Sequence, residues 1–169
     1  MTDDDRNYED VRAYGLSPER EQELLDAQTE CTFMWTTKAG EPMGVVMNFV
    51  HRDGRFWLTS ASQRKRVSAV RRDPRVAIAV TSKGAGIPSG RAVTYKGNAT
   101  IHDDAETKSW FYKTLAARVR PDEPDKQAAF AQFLDSPQRI VLEIEPTGRV
   151  GFDSVAMWEA TPEAAPKTT

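Results

Sequence analysis

The sequence contains 169 residues, of which 39% are hydrophobic and 28% are charged. This is the length of one ordinary domain, and the composition excludes a wholly disordered chain. Lysine and arginine number 23 against 25 aspartate and glutamate residues, which leaves a net charge of −2. A dedicated nucleic-acid-binding protein needs an excess of basic residues to displace counterions, so the sequence predicts no nucleic-acid partner.

Cysteine content and hydropathy restrict the class of protein further. Cys31 is the only cysteine, which excludes an intramolecular disulfide, and two histidines, His51 and His102, do not supply a zinc-binding set. The acidic, polar residues 1–12 lack the pattern of a secretory signal, and no apolar run approaches the ~20 residues that span a bilayer. We therefore expect a cytoplasmic protein without a membrane partner.

Hydrophobic periodicity predicts a mainly β chain. Residues 1–17 are polar and predict a flexible arm, and Ser17 followed by Pro18 indicates the start of a helix. Alternating and β-branched segments predict strands over residues 31–37, 43–50, 56–60, 75–81, 91–102 and 138–145, with a short one over 149–152. Helical spacing predicts helices over residues 62–72, from residue 103 for roughly 15 residues, and around residue 130.

Turn residues connect these elements and indicate the architecture. Asp53-Gly54 predicts a β-hairpin, Gly97 predicts a β-bulge, and residues 83–90 predict a glycine-rich loop. Strands and helices do not alternate, which argues against a doubly wound parallel sheet. About six antiparallel strands with helices at the crossings predict a small β-barrel with peripheral helices. We assign this domain to residues 18–155 and expect residues 156–169 to be a disordered tail.

The densest charged feature is a basic run in which Asp73 is the only acid. The run consists of Arg64, Lys65, Arg66, Arg71, Arg72 and Arg75. A solvated helix face is the ordinary explanation, but Arg64 and Lys65 fall in the first helical turn, where the helix dipole disfavours cations by about 0.3–1 kcal/mol each. An anion bound between them would explain this placement. The hydroxyls that would complete such a phosphate site belong to Thr59, Ser60 and Ser62.

Two motifs in this region resemble a known family. Residues 56–65, with the sequence FWLTSASQRK, are followed by Arg72-Asp73-Pro74-Arg75-Val76, and together they resemble the pyridoxamine 5′-phosphate oxidase-like flavin-binding split barrels. The later segment 91–97, RAVTYKG, looks like the Arg-Gln-Val-x-x-x-Gly strand of that family. The resemblance extends over residues 31–145 and implies a six-stranded antiparallel split barrel. It also implies a homodimer that binds flavin between its subunits.

The resemblance assigns roles to individual residues. Thr59 and Ser60 would contact phosphate or ribityl oxygens, and Arg64 and Lys65 would hold the phosphate. Arg91 would lie near the isoalloxazine ring, contributed by the partner subunit.

Departures from the family pattern argue against a true pyridoxamine 5′-phosphate oxidase. The oxidases place basic residues on the strand where this chain has Met43, Gly44 and Asn48, and Ala92 replaces the glutamine of their Arg-Gln pair. Their C-terminal Trp/Arg/Arg signature is missing as well. The chain is more similar to the actinobacterial flavin/deazaflavin oxidoreductase branch, in which a late element like 151–153 recurs.

These observations predict an oxidoreductase that uses FMN, or alternatively the deazaflavin coenzyme F-420, on a small-molecule substrate that the sequence does not name. The sequence shows no Ser/His/Asp or Cys/His constellation, so we predict no catalytic side chain and assign the chemistry to the cofactor. Cys31 is interpreted as a core residue and His51 and His102 as surface or turn residues. The alternative is a non-catalytic flavin- or haem-binding protein that sequesters or senses its ligand.

Overall fold

The computed structural model describes residues 11–166 of the chain. Its helices are α1 (Pro18–Ala27), α2 (Lys65–Arg72), α3 (Ala105–Val119), α4 (Pro124–Leu134) and α5 (Ser154–Ala160), and short 3-10 turns lie at Val11–Tyr14 and Pro162–Ala164. Its strands are β1 (Glu30–Thr36), β2 (Pro42–Asn48), β3 (Val50–Arg52), β4 (Arg55–Ala61), β5 (Arg75–Thr81), β6 (Arg91–His102) and β7 (Arg139–Asp153). The predicted helix start at Ser17 is confirmed, because its hydroxyl accepts a hydrogen bond from the Arg20 amide at 3.3 Å.

The strands form one antiparallel sheet in the order β2-β1-β5-β6-β7-β4-β3, which curls into a half-barrel with the helices at its periphery. This confirms the mainly β fold and the split-barrel class predicted from the sequence. The sheet has seven strands rather than the predicted six. The extra strand arises at Phe49, and a second departure, which adds no strand, arises in β7.

The predicted strand 43–50 is divided at Phe49. Residues before it pair with β1 at one edge of the sheet, whereas Val50–Arg52 pairs with β4 at the other edge. The Phe49 ring is fully buried and its amide donates to the carbonyl of Thr29 at 3.1 Å, which fixes the crossing between the two edges. Conversely, the predicted strands 138–145 and 149–152 form the single long strand β7.

The long pairing of β6 with β7 contains the predicted bulge. The register shifts between Lys96 and Gly97, as the glycine predicted. A Cβ atom added at Gly97 would lie 2.5 Å from the carbonyl oxygen of Glu145, so only glycine allows the two backbones to approach this closely. The predicted Asp53-Gly54 hairpin joins β3 to β4, with positive φ angles of 54° and 72° at its two residues.

The two faces of the sheet pack against different partners. The inner face carries the main core, built from alternating residues such as Phe33, Phe56, Leu58 and Ile78, all fully buried. A second apolar cluster lies between the outer face and helices α3 and α4; it comprises Val50, Phe111, Tyr112, Leu115, Leu134 and Val141. The end of β4, between these two layers, therefore positions the residues that the sequence predicts to bind phosphate.

The packed domain extends beyond the predicted boundaries at residues 18 and 155. Tyr14 and Leu16 are buried, which the predicted flexible arm over residues 1–17 did not anticipate. At the other end, Ser154–Ala160 forms α5 and Thr161 is buried, where the sequence predicted a disordered tail over residues 156–169. The remaining parts of the predicted arm and tail, residues 1–10 and 167–169, lie outside the described residues.

Ion pairs connect helix α1 to strands of the sheet. Arg20 binds the buried carboxylate of Asp153, with Nη2 to Oδ1 at 2.8 Å, and Glu21 binds Arg149 at 2.7 Å. Glu23 pairs with the guanidinium of Arg91, whose side chain is only 5% exposed. The apolar side of the helix buries Leu24 and Leu25 in the main core. Helix α1 is therefore held by both charge and apolar burial.

Within residues 11–166, every helix is too short or too polar to cross a bilayer.

Cys31 is predicted to be chemically inert in the folded protein. It lies in β1, is 3% exposed, and its pKa is raised to about 12, mainly because burial disfavours the thiolate. At pH 8 we expect a disulfide reagent such as dithionitrobenzoate to react with the native protein only as fast as it unfolds. Reaction in urea should be rapid. A native reaction rate near that of a free thiol would contradict this prediction.

Candidate functional site

The candidate site is built around the turn from β4 into α2. The strand ends at Ala61, and the amide of Ser62 donates to the carbonyl of Gln138 at 2.7 Å, which holds the turn against the start of β7. Arg64 is the N-cap residue but its side chain makes no capping hydrogen bond, and the first turn contains no acidic residue. The amides of Arg64 and Val67 donate to backbone carbonyls, so among the described residues the amides of Lys65 and Arg66 are left without an acceptor beside the two cations Arg64 and Lys65. This arrangement favours a bound anion.

A groove of about 610 Å³ opens beside this helix start. One wall consists of residues 63–66, which include Arg64, Lys65 and Arg66. The other wall is apolar and consists of Trp35, Met43 and Val45 from β1 and β2. The ring of Trp35 is held by stacking on Phe33, with the ring centroids 5.7 Å apart. The groove thus places an apolar wall that contains one aromatic ring next to a group of cations.

The cations of the groove have no carboxylate partner in the described part of the chain. Arg64 and Lys65 are exposed, whereas Arg66 is half-buried and its Nε donates to the hydroxyl of Ser60 at 3.0 Å. Burial lowers the pKa of Arg66, and the positive charges of Arg64 and Arg139 lower it further. The repulsion among these groups is a cost in the free protein that an anionic ligand would remove.

The predicted hydroxyls do not converge on one ligand. Thr59 and Ser60 are consecutive strand residues and point to opposite faces of the sheet. The Thr59 hydroxyl donates to the carbonyl of Ile140 at 2.9 Å on the side of α3 and α4, while Ser60 is 1% exposed and contacts Arg66. Ser62 is half-buried in the turn. The structure therefore brings Arg64 and Lys65 together at the groove. Arg66 connects Ser60 to them, whereas Thr59 points away from the groove.

Arg91 lies outside the groove of its own subunit. Its guanidinium pairs with Glu23, and it donates to the hydroxyl of Ser89 at 3.1 Å and to the carbonyl of Arg20 at 3.2 Å. It also lines a separate cavity of about 560 Å³ under the loop of residues 82–90. The contact with a cofactor bound to the partner subunit, which the family resemblance implies, stays a prediction.

Sequence reasoning missed several residues at the site. Trp35, Met43 and Val45 were recognised as strand residues, but only strand pairing and the curl of the sheet place them opposite the cations. The alternation of residues 31–37 and 43–50, which predicts two strands, was the only signal available for them.

The histidines do not line the groove, and each is a half-buried residue of a strand rather than the predicted surface or turn residue. His51 is half-buried and packs on Phe56 with ring centroids 4.9 Å apart, and burial lowers its pKa. The His102 Nε2 atom lies 2.6 Å from a carboxylate oxygen of Glu143 on the outer face of the sheet. Across residues 11–166, His, Cys, Asp and Glu form no group of three or more that could hold a metal ion.

The chain is similar to one protein family in sequence and to several solved structures in fold. The family model described as pyridoxamine 5′-phosphate oxidase matches residues 18–149. A conserved hypothetical protein from Mycobacterium tuberculosis has a TM-score of 0.75 at 18% identity, and the match covers 93% of each chain. The curated proteins yield no match.

Two other solved structures share the fold at lower similarity. An F420 reductase has a TM-score of 0.57 at 18% identity, with 76% of this chain and 94% of that chain covered. A haem storage protein from Vibrio cholerae has a TM-score of 0.60 at 12% identity, with 82% and 95% covered. At these identities the structural matches establish a common fold.

Proposed function

We propose that this chain, which belongs to the pyridoxamine 5′-phosphate oxidase family, is a cytoplasmic homodimeric oxidoreductase that uses FMN or coenzyme F-420 on a small-molecule substrate. The observation that carries the proposal is the groove at the start of α2, where Arg64 and Lys65 face the apolar wall formed by Trp35, Met43 and Val45. A flavin or deazaflavin has the matching chemistry, since it joins a flat ring system to a phosphate.

Each wall of the groove has a defined task in this proposal. Arg64 supplies a planar fork and Lys65 a point charge for the phosphate, and the backbone amides of Lys65 and Arg66 add to them. Trp35, Met43 and Val45 exclude water from one side of the ring. Hydride transfer is the chemistry that the cofactor supplies when it is bound. The groove residues position and desolvate it, and no side chain is assigned as a proton donor.

The choice between the two cofactors rests on departures from the true oxidases. Met43, Gly44 and Asn48 replace basic residues on β2, and Ala92 replaces the glutamine at the start of β6. These changes favour the deazaflavin, and the fold similarity to an F420 reductase is in keeping with it. FMN remains the first candidate, because the two family motifs at residues 56–65 and 91–97 resemble flavin-binding split barrels.

The absorbance spectrum of the purified protein tests the proposal directly. Two visible bands would indicate FMN, one violet band the deazaflavin, and a Soret band haem. Titration of the cofactor-free protein with each compound, followed by steady-state reduction of an electron acceptor, then measures binding and turnover separately. Failure of both FMN and coenzyme F-420 to bind would refute the proposed function.

A non-catalytic carrier of flavin or haem is the second candidate. It is favoured by the fold similarity to a haem storage protein and by the scarcity of proton donors or nucleophiles around the groove. A stoichiometrically bound cofactor that supports no reduction of any acceptor above the rate of the free cofactor would favour this candidate over the enzyme.

The outer face of the sheet supports the homodimer. Strand register aligns Val46, Thr32, Ala79, Thr94 and Val150 in one row across five strands. The two end residues are 65% and 66% exposed, so they are not covered by their own chain. A row of small and apolar residues allows a second copy to approach closely, and a two-fold axis would make the contact self-complementary.

We expect the wild-type protein to sediment at twice the chain mass of 18.9 kDa. Val150→Glu places a charge in the proposed interface and should yield the monomer at micromolar concentration, because burying an unpaired carboxylate is costly. Phe133→Glu, at a residue that is 70% exposed on α4, should leave the dimer intact. A wild-type monomer at micromolar concentration would contradict the assembly.

A further inference from the structure

A cavity of about 330 Å³ lies at the end of the curled sheet where β4 begins. The inner face of the sheet forms one side of it, because His51 is paired with Phe56 and Tyr95 with Arg149 in the strand register. Helix α1 covers the other side with residues at the spacing of a single helix face, which are Pro18, Glu21, Gln22 and Leu25. Four strands and one helix thus enclose the cavity.

This cavity is separate from the groove at the start of α2. Phe56 lines the cavity, whereas β4 ends at Ala61 beside the groove, and the two residues are about 17 Å apart along the strand. The residues that line the cavity and those that line the groove have no member in common. The proposed oxidoreductase chemistry therefore uses none of the side chains of the cavity.

The charged groups of the cavity neutralise each other. Glu21 accepts a hydrogen bond from the Tyr95 hydroxyl, and its second carboxylate oxygen lies 2.7 Å from the Nη1 atom of Arg149. Burial raises the pKa of Tyr95 and the hydrogen bond to Glu21 raises it further, so the phenol stays protonated. A charged ligand would lose its hydration here without gaining an unpaired counter-charge. The cavity therefore favours a ligand without net charge.

His51 supplies polar atoms that have no partner. Its ring packs on Phe56 with the centroids 4.9 Å apart, and its nitrogens make no hydrogen bond within residues 11–166. Burial lowers the pKa of His51, while the charges of Asp26 and Glu21 act to raise it and that of Arg118 acts to lower it. At neutral pH the uncharged imidazole offers one N–H donor and one acceptor nitrogen to the cavity.

Aromatic rings form much of the lining. The rings of Phe56 and Tyr95 lie 4.7 Å apart between centroids and are tilted by 50°, and the His51 ring adjoins them. Such faces and edges pack well against another ring. The volume is close to the lower limit of about 300 Å³ for ligand pockets, so the cavity has room for a molecule with one ring.

We infer that this cavity binds an uncharged aromatic molecule of one ring that carries an amide. The amide N–H donates to the acceptor nitrogen of His51, and the amide carbonyl accepts from an N–H of Arg149 that does not face Glu21. The ring packs among the aromatic side chains. The site is independent of the cofactor groove, and it goes beyond the proposed function.

Three compounds of the same shape test the inference, namely benzamide, the anion benzoate and the cation benzamidine. The chain has only two histidines, so a ¹H–¹⁵N spectrum of the imidazole groups of the full-length protein reports on each of them. We expect benzamide to shift the His51 signals with a dissociation constant on the order of 1 mM, and to leave those of His102 on the outer face unchanged. Benzoate and benzamidine should bind at least about tenfold more weakly.

His51→Phe keeps an aromatic ring against Phe56 but removes both nitrogens. We expect it to weaken benzamide binding about fivefold or more, the effect of one lost hydrogen bond, as measured from backbone amide shifts around Gly54. His102→Phe, the same substitution at the other histidine, is the matched control and should leave the affinity unchanged. Thermal melts confirm that both variants are folded.

The other outcomes each overturn the inference. If benzamide leaves the His51 signals in place, the cavity is not its site. If benzoate or benzamidine binds as tightly as benzamide, the site selects a charge and the ligand class is wrong. Equal affinities for His51→Phe and wild type exclude the hydrogen bond to His51. The proposed function fails separately, if neither FMN nor coenzyme F-420 binds while benzamide still shifts His51.

Discussion

Arg64→Ala and Lys65→Ala are each expected to weaken cofactor binding by about 1.5–3 kcal/mol, the scale of a hydrogen bond to a charged group. Both side chains line the groove at the start of α2 and are exposed in the free protein, so their removal should cost little stability. The affinity is measured by titration of the cofactor-free variants with FMN and with coenzyme F-420. A loss of this size corresponds to roughly 10–150-fold in the dissociation constant.

Arg71→Ala is the control for this experiment. Arg71 belongs to the same basic run and the same helix, but it lies about 9 Å further along the axis, in the last turn. We expect its removal to change the affinity only slightly. Equal losses of affinity for all of these variants would indicate a diffuse electrostatic surface rather than a site. If no variant loses affinity, the basic run is an ordinary solvated helix face.

Asp153→Ala is expected to lower the free energy of unfolding by about 3 kcal/mol, because it leaves charged partners without their carboxylate. Asp153 is 2% exposed, binds Arg20 at 2.8 Å, and accepts a hydrogen bond from the amide of Val155 at 3.0 Å that starts α5. Asp153→Asn retains an acceptor for that amide and should lose less. Urea unfolding at fixed protein concentration, followed by tryptophan fluorescence, measures the effect.

The exposed Asp122 provides the matched control, since Asp122→Ala should change stability by less than about 0.5 kcal/mol. If Asp153→Ala lowers the free energy of unfolding no more than this control does, the ion pair between Arg20 of α1 and Asp153 at the end of β7 contributes nothing to stability.

Acid unfolding gives a second measurement of the same contact. Burial alone would raise the pKa of Asp153, but the hydrogen bonds from Arg20 and Val155 outweigh it and the pKa is lowered. A carboxyl group whose pKa is lower in the folded state stabilises the protein above its unfolded pKa of about 3.9, and this contribution is lost as the pH falls through the folded value. The difference in stability between wild type and Asp153→Ala should therefore shrink below about pH 4.

The sequence alone determined the features that depend on local chemistry. Alternating apolar residues indicated the mainly β fold, Asp53-Gly54 specified a hairpin through its positive φ angles, and Gly97 specified the bulge. The helix start at Arg64 and Lys65 was equally local, since capping, dipole and charge depend on neighbours within one turn. These signals predict the cations that line the groove at the start of α2.

Tertiary structure decided the remainder, because it depends on which distant segments pair. The apolar wall that includes Trp35 faces the cations only after β1 and β2 join the curled sheet. Arg91 matched a family motif, yet its guanidinium is taken up by Glu23 of α1. The register of the strands, and the sheet edge that each strand joins, are set by the burial of whole sheet faces rather than by local propensity. No short segment of this sequence therefore predicts them.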